Sequence, residues 1–412
     1  MAKAITDEKL IDEVLERGVE QVFPDKKLFK EKLLSGERIR LYCGYDPSAP
    51  ALHIGNAVTL NKLSQFQKLG HEVIFLVGDF TGMIGDPTDK EATRKKLTRE
   101  EVLKNAEDYQ RQASGYLKFD GENPAKIMYN SEWSDKLTFK EVIEIASNFT
   151  VGQMIQRDMF QKRMESSKPI YLHEFLYPLA QGYDSVAMDV DAEIGGNDQM
   201  FNMLAGRTLQ KNINNKEKFV MTLKLLADET GKKMGKTEGN AVFLNQAPED
   251  MFGAVMSWTD GIIAVGFEMV TDIPIDEIEE IKEALRDEKN NPRDLKMKLA
   301  YEMVKISHNE KAAKKARENF EKVFSRKELP DEIREVEVEN GLDSVRLVEF
   351  MVLSGLAKSN GDARRKIEQG GVSINGEKET DKNRILSKDK DGAAVIKAGK
   401  LLFARVVFSA GK

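Results

Sequence analysis

The chain has 412 residues, of which 41% are hydrophobic and 32% are charged. At ~100–200 residues per domain, this length predicts two or three domains, and the apolar fraction excludes a chain that is disordered throughout. The single cysteine, Cys43, excludes an internal disulfide and a CxxC metal site. The four histidines lie too far apart for HExxH or zinc-finger spacing, so we expect no metal site.

No apolar run approaches the ~18 residues of a membrane-spanning helix. The charged N-terminal stretch lacks the apolar core of a signal peptide, so we expect a soluble protein of a reducing compartment, the cytoplasm. The net charge is -6, but residues 342–412 carry 14 Lys and Arg against 9 Asp and Glu, a balance of 14 - 9 = +5, which leaves -11 for the rest. A basic end on an acidic body indicates contact with a polyanion.

The first half of the chain alternates between predicted helices and strands. Early acidic residues and a terminal glycine predict a helix over 7–18. Apolar runs predict strands and apolar residues at helical spacing predict the helices between them: strands 38–46, 72–78, 126–129, 188–194 and 218–223, and helices 56–69, 99–119 and 139–164. This alternation is typical of an α/β fold with a mostly parallel, Rossmann-like sheet and helices on both faces.

The second half of the chain differs from the first in composition and in the spacing of its apolar residues. From Pro248 to about Phe324 the chain is dense in Glu, Lys, Ala and Leu at helical spacing, which predicts an all-α domain with a break at 290–292. Residues 325–341 are polar and include a proline, so we interpret them as a linker. The remainder predicts a small α+β domain with helices 347–355 and 361–369, a strand from Val372 and a turn at Asn375-Gly376.

The segment YCGYDPSAPALHIGN, residues 42–56, ends a predicted strand and opens a predicted helix. Ligands bind at the carboxyl ends of strands in open parallel sheets, and a helix N-terminus offers free N–H groups to a phosphate. Gly44 and Gly55 leave room for a nucleotide, and His53 and Asn56 can aim polar nitrogens at one anion. The alternative interpretation is a βα loop with prolines and a capping asparagine.

A second segment, GKKMGKTEGN, covers residues 231–240. Its glycines predict a flexible loop, and its lysines 232, 233 and 236 could stabilise the charge that develops on a leaving pyrophosphate. Taken alone, a solvated surface loop is the simpler interpretation.

Together, the two segments resemble the HIGH and KMSKS motifs of class I aminoacyl-tRNA synthetases, and in particular of the bacterial-type tyrosyl-tRNA synthetases. FTGMIGDPT, YPLAQGYD and IGGNDQ also occur in that family's order and at similar spacings. The resemblance covers nearly the whole chain. It implies a catalytic domain over 1–230 with an inserted dimerisation segment at 121–168, the KMSKS-like loop and connector at 231–247, an anticodon-binding helical domain at 248–324, the linker at 325–341 and an S4-like RNA-binding domain at 342–412.

Two positions depart from the family pattern. Asn56 replaces the second histidine of HIGH, and its amide can still donate to a phosphate although it cannot become charged. Gly235 and Thr237 replace the two serines of KMSKS, while both lysines and one hydroxyl remain. We expect these changes to affect the rate and not the type of reaction.

The resemblance implies a tyrosine pocket in which Tyr42 and Asp184 contact the substrate phenol. A phenylalanine would leave both groups unpaired, which gives such sites ~10⁴–10⁵-fold discrimination. Asp86, Tyr177 and Gln181 match the family residues that contact the substrate ammonium, and Gln199 matches a residue near the substrate. Taken alone, Asp86 before a proline could instead form a turn, and Tyr177 could be a core residue. The implied ATP-binding residues are Gly44, Asp46, Ser48, Gly55, Gly196, Asp198 and Lys236, and the implied catalytic residues are His53, Asn56, Lys233, Lys236 and Thr237.

Three cations, Arg364, Arg365 and Lys366, lie together on a predicted helix of the S4-like unit and could contact RNA phosphates or form a solvated helix face. The resemblance implies a homodimer that binds tRNA(Tyr), L-tyrosine and ATP with Mg²⁺, without a tightly bound cofactor, DNA or a membrane. We interpret Trp133 and Trp258 as core residues. Two alternatives stay open: an RNA-binding paralogue without catalysis, suggested by Asn56, and a synthetase for tryptophan.

Overall fold

The structure is a computed structural model that describes residues 3–88, 97–227, 234, 241–287, 290–325, 333–338, 343–399 and 402–408. Its contacts divide the chain into two compact units, Met1–Ala313 and Lys314–Lys412. Within the described ranges, no helix is both long enough and apolar enough to cross a bilayer.

A six-stranded sheet forms the centre of the first unit, in the spatial order β1-β6-β5-β2-β3-β4. Every neighbouring pair is parallel except β1 with β6. This arrangement confirms the α/β fold and the mostly parallel sheet. The strands are β1 (Val19–Phe23), β2 (Arg40–Tyr45), β3 (Glu72–Val77), β4 (Lys126–Tyr129), β5 (Ala192–Gly196) and β6 (Phe219–Leu223).

In the described residues, the first helix of this unit precedes β1 and the other elements, most of them short helices, lie between the strands. They are α1 (Glu8–Glu16), α2 (Lys26–Leu34), α3 (Ile54–Lys68), α4 (Thr81–Ile84), α5 (Arg99–Ala106), α6 (Tyr109–Ala113), α7 (Ser131–Ser134), α8 (Phe139–Ala146), α9 (Val151–Ile155), α10 (Asp158–Glu165), α11 (Leu172–Ala187), a 3₁₀ turn (Asn197–Gln199) and α12 (Met200–Asn214).

Two predicted helices are broken in the structure. The stretch 139–164 contains α8, α9 and α10, because the Thr150 side chain accepts from the backbone N–H of Gln153 and starts a new helix there. The stretch 99–119 contains only α5 and α6. The strand predicted from residue 188 begins later, at Ala192, because α11 extends to Ala187 and Asp189 adopts a left-handed conformation with φ 47°.

Helices follow the sheet in the first unit: α13 (Pro248–Met256), α14 (Ile262–Val270), α15 (Ile275–Arg286), α16 (Pro292–Ser307) and α17 (Glu310–Ser325), the last of which continues into the second unit. The break predicted at 290–292 is present. Asn291 accepts from the backbone N–H of Arg293, and Pro292 occupies the first position of α16, where its missing N–H costs no hydrogen bond.

The second unit has its own apolar core, which includes Leu347, Phe350, Ile367, Ile396 and Val406. It contains a five-stranded sheet, β10-β9-β12-β13-β7, and a two-stranded sheet, β11-β8. The elements are β7 (Glu335–Val338), β8 (Ser344–Arg346), α18 (Leu347–Leu353), α19 (Asn360–Glu368), β9 (Val372–Ile374), β10 (Glu377–Glu379), β11 (Ile385–Ser387), α20 (Lys388–Asp391), β12 (Val395–Ala398) and β13 (Leu402–Phe408).

Two details of this unit bear on the predictions. β9 and β10 form a hairpin across Asn375 and Gly376, whose φ angles of 49° and 87° are those of a two-residue hairpin turn. The stretch predicted as a linker contains β7, which pairs in parallel with β13.

Candidate active site

A crevice for a ligand is expected between β2 and β5, where the order of the parallel strands reverses direction. Asp46 follows the carboxyl end of β2, and Gly196 ends β5. Gly44 lies within β2 and is nevertheless exposed, so the strand presents open backbone at this point. Most of the predicted site residues lie on the segments that follow these strands or on α11.

Tyr42 and Asp184 are both buried in the first unit, 0% and 2% exposed. The Asp184 carboxylate accepts hydrogen bonds from Trp133 Nε1 at 2.8 Å and from Asn130 Nδ2 at 3.2 Å. Burial raises the pKa of Asp184 well above its usual value, although these two hydrogen bonds act in the opposite direction. Burial and the charges of Glu193 and Asp184 likewise raise the pKa of Tyr42, so its hydroxyl keeps its proton.

Asp46 joins β2 to α4 and α11. One carboxylate oxygen accepts from Thr81 Oγ1 at 2.6 Å, and the other accepts from the Tyr177 hydroxyl at 2.8 Å. A Cβ on Gly78, directly after β3, would overlap the Asp46 carboxylate, so any larger residue there would displace that carboxylate. Tyr177, predicted as an ammonium contact, therefore points its hydroxyl into the crevice.

Asp86 lies in a chain of polar contacts on the same side of the sheet. Its carboxylate accepts from Gln199 Nε2 at 2.7 Å and from the Thr88 hydroxyl at 2.6 Å. Thr88 Oγ1 in turn accepts from Arg157 at 2.8 Å, and Asn202 donates to Gln199 Oε1 at 2.8 Å. The structure thus brings together two of the predicted tyrosine-binding residues, Asp86 and Gln199.

Gln181 extends toward a buried carboxylate. Its Nε2 donates to Glu193 at 3.1 Å, and Glu193 forms an ion pair with Lys218 in which the side chains are 2% and 0% exposed. Burial lowers the pKa of Lys218, while the charge of Glu193 opposes that shift. None of the sequence patterns singled out Glu193 or Lys218.

The first turn of α3 is closed by a capping box of His53 and Asn56. His53 Nδ1 accepts from the backbone N–H of Gly55 at 3.0 Å, and Asn56 Oδ1 accepts from the backbone N–H of His53 at 3.0 Å. Because Nδ1 is an acceptor, the neutral ring carries its proton on Nε2. A Cβ on Gly55 would lie 2.8 Å from the His53 ring, which explains the glycine locally.

Residues that follow the lysine-rich loop pair with the start of α3. The N–H of Ile54 donates to Val242 O at 2.8 Å, and the N–H of Leu244 donates to Leu52 O at 2.9 Å. Met234, in the middle of the loop, is buried, and its carbonyl oxygen lies 3.9 Å from the position of a Cβ on Gly55. The predicted catalytic residues Lys233, Lys236 and Thr237 lie outside the described residues.

The remaining predicted nucleotide contacts lie at the two strand ends. Ser48 is exposed on the turn after β2, where its N–H donates to Asp46 O at 2.7 Å. Asp198 is exposed in the turn after β5, and a Cβ on Gly196 would lie 2.6 Å from Asp198 Oδ1. Both turns are therefore open to a ligand from solvent.

Comparison with known proteins gives a consistent result. The family model "tRNA synthetases class I (W and Y)" matches residues 34–325, and the model "Tyrosine--tRNA ligase SYY-like C-terminal domain" matches residues 326–406. The tyrosine--tRNA ligase of Carboxydothermus hydrogenoformans is 44% identical over 405 residues, which cover 96% of this chain and 97% of the relative. The chain belongs to the tyrosine--tRNA ligase family.

Further relatives agree with this assignment. The tyrosine--tRNA ligase of Haemophilus influenzae is 44% identical over 98% of each chain. The crystal structure of a C-terminally truncated mitochondrial tyrosyl-tRNA synthetase from Coccidioides posadasii matches with a TM-score of 0.63 at 26% identity, and covers 75% of this chain and 91% of that one. The Rossmann-like fold of the first unit is thus that of the family.

The second unit, matched by the tyrosine--tRNA ligase C-terminal model, places the three predicted RNA-binding cations on α19. Arg364 and Arg365 are exposed. Lys366 is half-buried, donates to Leu356 O at 2.9 Å and pairs with Asp362 at 3.1 Å, so it also anchors α19 to its own domain.

Several residues around the pocket were missed by the sequence reasoning. Trp133, interpreted as core, is only partly buried and donates to Asp184. Position relative to a motif could have indicated three of them: Thr81 lies within FTGMIGDPT, Ser185 directly follows YPLAQGYD and Glu193 directly precedes IGGNDQ. The others come from segments without a motif. The set is Gly78, Thr81, Asn130, Trp133, Ser185, Glu193 and Lys218.

Proposed function

We propose that this chain carries out the reaction of its family: it activates L-tyrosine with ATP to tyrosyl-adenylate and pyrophosphate, then transfers the tyrosyl group to the 3′ end of tRNA(Tyr). One observation carries the proposal. The strand β2 bears Tyr42, next to the buried Asp184, and leads directly into the start of α3, which pairs with residues 242–244 beyond the lysine-rich loop. A pocket for a phenol and a site for phosphates therefore share one crevice.

Tyr42 and Asp184 are proposed to bind the phenol. Asp184 accepts the phenolic proton, and its hydrogen bonds from Asn130 and Trp133 hold the carboxylate in place. The Tyr42 hydroxyl donates to the same phenolic oxygen. A phenylalanine ring would leave both buried groups unpaired, and such a loss costs ~1–3 kcal/mol for each group.

The substrate ammonium is proposed to lie near Asp86, Tyr177 and Gln181, with Gln199 adjacent. Asp86 supplies the opposite charge, and Gln199 holds its carboxylate at 2.7 Å. The Tyr177 hydroxyl is fixed by Asp46, which also belongs to the proposed ATP site. The ammonium and nucleotide sites are thus connected through one carboxylate.

ATP is proposed to bind with Mg²⁺ along Gly44, Asp46, Ser48, Gly55, Gly196 and Asp198, with Lys236 on its phosphates. The capping box supports two further roles. The caps use His53 Nδ1 and Asn56 Oδ1 as acceptors, and the other side-chain nitrogens, His53 Nε2 and Asn56 Nδ2, carry the N–H groups that we assign as phosphate donors. Asn56 can therefore replace a histidine here, because a neutral donor is what the position offers.

The chemistry requires positioning and charge stabilisation, and no protein nucleophile. A tyrosine carboxylate oxygen attacks the α-phosphorus in line, the bond from that phosphorus to the bridging oxygen breaks, and pyrophosphate leaves with the electron pair. Lys233, Lys236 and Thr237 are proposed to stabilise the charge on that leaving group. The 2′ or 3′ hydroxyl of the terminal tRNA ribose then attacks the adenylate carbonyl and AMP leaves.

We propose a separate role for each segment of the chain. Residues 1–230 form the catalytic domain, and the loop and connector at 231–247 form its closing segment. The helical domain at 248–324 binds the anticodon region, and the linker at 325–341 connects it to the last domain. Residues 342–412 bind RNA through Arg364, Arg365 and Lys366. We propose a cytoplasmic location, where ATP and tRNA are available.

We propose a homodimer formed through the inserted segment at 121–168 and the start of α11. Large apolar side chains are exposed there, including Phe139 at 82%, Val151 at 75% and Leu172 at 78%. Such a concentration is typical of an interface. Phe139→Glu should convert a dimer into a monomer in light scattering, whereas Leu353→Glu, at an apolar site 53% exposed in the second unit, should not. A monomeric unmodified protein would contradict the proposal.

Tyrosine-dependent ATP–pyrophosphate exchange tests the activity. We expect exchange with tyrosine and little with phenylalanine or tryptophan, and Asp184→Ala should lose the preference for tyrosine over phenylalanine. Exchange with tryptophan alone would select the tryptophan enzyme. RNA binding without any exchange would select the paralogue without catalysis, and unchanged selectivity of the Asp184 variant would remove that residue from the phenol site.

A further inference from the structure

A buried polar cluster lies behind the phenol site and is formed by Ser185 on α11, Glu193 on β5 and Lys218 just before β6. Their exposed fractions are 0%, 2% and 0%. Tyr42 contacts this cluster: its hydroxyl is hydrogen-bonded to Ser185 Oγ at 2.9 Å, and Lys218 Nζ lies 5.8 Å from the centre of its ring. Neither Ser185 nor Lys218 is needed for the reaction steps described above.

Lys218 has one acceptor for each of its three ammonium protons. It donates to Ser185 Oγ at 2.6 Å, to Met203 O at 3.2 Å and to a Glu193 oxygen in a short ion pair. Gln181 Nε2 donates to the other Glu193 oxygen. An ammonium fully satisfied in this way has one orientation, and it cannot accept a hydrogen bond from any neighbour.

This arrangement favours one direction of the hydrogen bond between Ser185 and Tyr42, a contact in which either hydroxyl can donate. In the part of the chain that the structure describes, Ser185 Oγ is hydrogen-bonded to Lys218 and Tyr42. Lys218 can only donate to it, so of these two partners only the Tyr42 oxygen can accept the Ser185 proton. A buried proton without an acceptor is costly, and we therefore assign the Ser185 proton to the Tyr42 oxygen. The proton of Tyr42 is then available to a different acceptor.

Glu193 is the protein acceptor that competes for this proton, because its carboxylate faces the Tyr42 hydroxyl. Lys218 and Gln181 each hold one of its oxygens. A carboxylate occupied by two donors, one of them charged, competes less strongly for a third proton. The cluster thereby leaves the phenolic oxygen of a substrate as the favoured acceptor.

We propose that Lys218 and Ser185 are positioning residues that orient the Tyr42 hydroxyl as a donor to the substrate phenol, and so set the preference for tyrosine over phenylalanine. The inference rests on the proposed function. It identifies a buried ion pair and a serine, outside every motif of the sequence, as determinants of amino-acid specificity.

The test compares exchange kinetics of Ser185→Ala, Lys218→Met and the unmodified full chain with tyrosine and with phenylalanine. Lys62→Met is the matched control, because Lys62 is 3% exposed and donates to the backbone oxygens of Val14 and Arg17, in contacts outside the pocket. We expect Ser185→Ala and Lys218→Met to lower the ratio of kcat/KM for tyrosine over phenylalanine by about tenfold or more. The KM for tyrosine should rise while that for ATP stays the same.

The possible results distinguish a failure of this inference from a failure of the proposed function. No tyrosine-dependent exchange by the unmodified protein would refute the proposed function. An active protein whose Ser185→Ala variant keeps the full tyrosine-to-phenylalanine ratio would overturn the inference, and this variant removes a single hydroxyl, so it remains informative where Lys218→Met does not fold. A comparable loss of the ratio in Lys62→Met would overturn it as well, because the effect would then be structural.

Discussion

The ion pair between Arg163 and Glu174 joins α10 to α11, the helix that bears much of the proposed tyrosine pocket. The side chains are 2% and 3% exposed and form two parallel hydrogen bonds of 2.7 Å. Arg163 also donates to Pro169 O at 2.6 Å, and Glu174 accepts from the Tyr171 N–H at 2.8 Å. Burial alone would raise the pKa of Glu174, but the hydrogen bonds from Arg163 and Tyr171 outweigh it and hold that pKa low.

Arg163→Met leaves the Glu174 carboxylate buried without its partner. Removal of one member of a buried pair costs about 3–5 kcal/mol, compared with ~0.2–1 kcal/mol for an exposed pair. The double variant Arg163→Met/Glu174→Gln removes both charges and keeps an acceptor for the Tyr171 N–H, so it should recover much of this loss. In the single variant the unpaired carboxylate becomes easier to protonate, and its deficit should shrink as the pH is lowered.

Urea unfolding followed by circular dichroism at pH 7 and pH 5 measures these differences. The matched control is Lys140→Met, which breaks an exposed ion pair with Glu144 at 3.7 Å on α8, where the two side chains are 85% and 63% exposed. The control should lose less than about 1 kcal/mol. A loss of that same size for Arg163→Met, or a double variant less stable than the single one, would refute the reasoning.

Three further predictions concern single side chains. Gly78→Ala should lower exchange activity, because the new methyl group displaces the Asp46 carboxylate; unchanged kinetics would contradict this. Burial lowers the pKa of His71 to about 4 from 6.5, so below pH 6.5 the unfolded chain takes up a proton more readily than the folded chain. The contribution of neutral His71 to the free energy of unfolding, about 3 kcal/mol, is complete above pH 6.5 and is lost as the pH falls to 4. His71→Gln should flatten the pH dependence of urea unfolding, and an unaltered curve would be inconsistent. Trp133→Phe removes a donor to Asp184, raises its pKa further and should move the acidic limb of the activity profile to higher pH; a limb that stays in place would argue against the phenol role.

The sequence predicted most of the central strands from short apolar runs, such as VIFLV in β3 and FVM in β6, whereas β5 contains Glu193. β3 is buried at five of its six positions, and β2, β4 and β6 end within one or two residues of the predicted bounds. β1 was not predicted. Only part of its surface is buried, and it is held by antiparallel pairing with β6, about 200 residues away in the chain, which no local pattern contains.

Helix boundaries were harder to predict because apolar spacing continues across a break. In the stretch 139–164 the periodicity fits one long helix, yet Thr150 starts a new helix with a capping box. The threonine and Gln153 three positions later were visible in the sequence, and capping chemistry rather than hydrophobic pattern would have located the break. The same box at Thr98 and Thr138 begins α5 and α8, where the prediction placed the helix start within one residue.

The residues of the candidate site also fall into those that the sequence could predict and those that it could not. Asp46 was accessible to prediction because it follows a strand end, and a parallel sheet brings such ends to one edge. Asp86 was predicted from the resemblance of its segment, FTGMIGDPT, to the family motif. Lys218 was not, since a lysine in the sequence NNKEKF reads as a solvated residue next to a turn. Its burial follows from Glu193, 25 positions earlier, and a pairing of that kind is decided by the packing of β5 and β6 and not by spacing.

Burial of this cluster has an energetic reason as well as a geometric one. Two carboxylates, Asp184 and Glu193, and one ammonium, Lys218, are almost completely removed from water, and such groups destabilise a fold unless every charge is matched. Apolar residues of similar volume are often at least as stable as a buried ion pair, but in the proposed tyrosine pocket they would accept a phenylalanine ring as well as a tyrosine. Discrimination between the two side chains depends on the penalty of leaving buried polar groups unpaired, and that penalty exists only because the pocket is polar and dry. The cost in stability and the specificity therefore have the same physical origin.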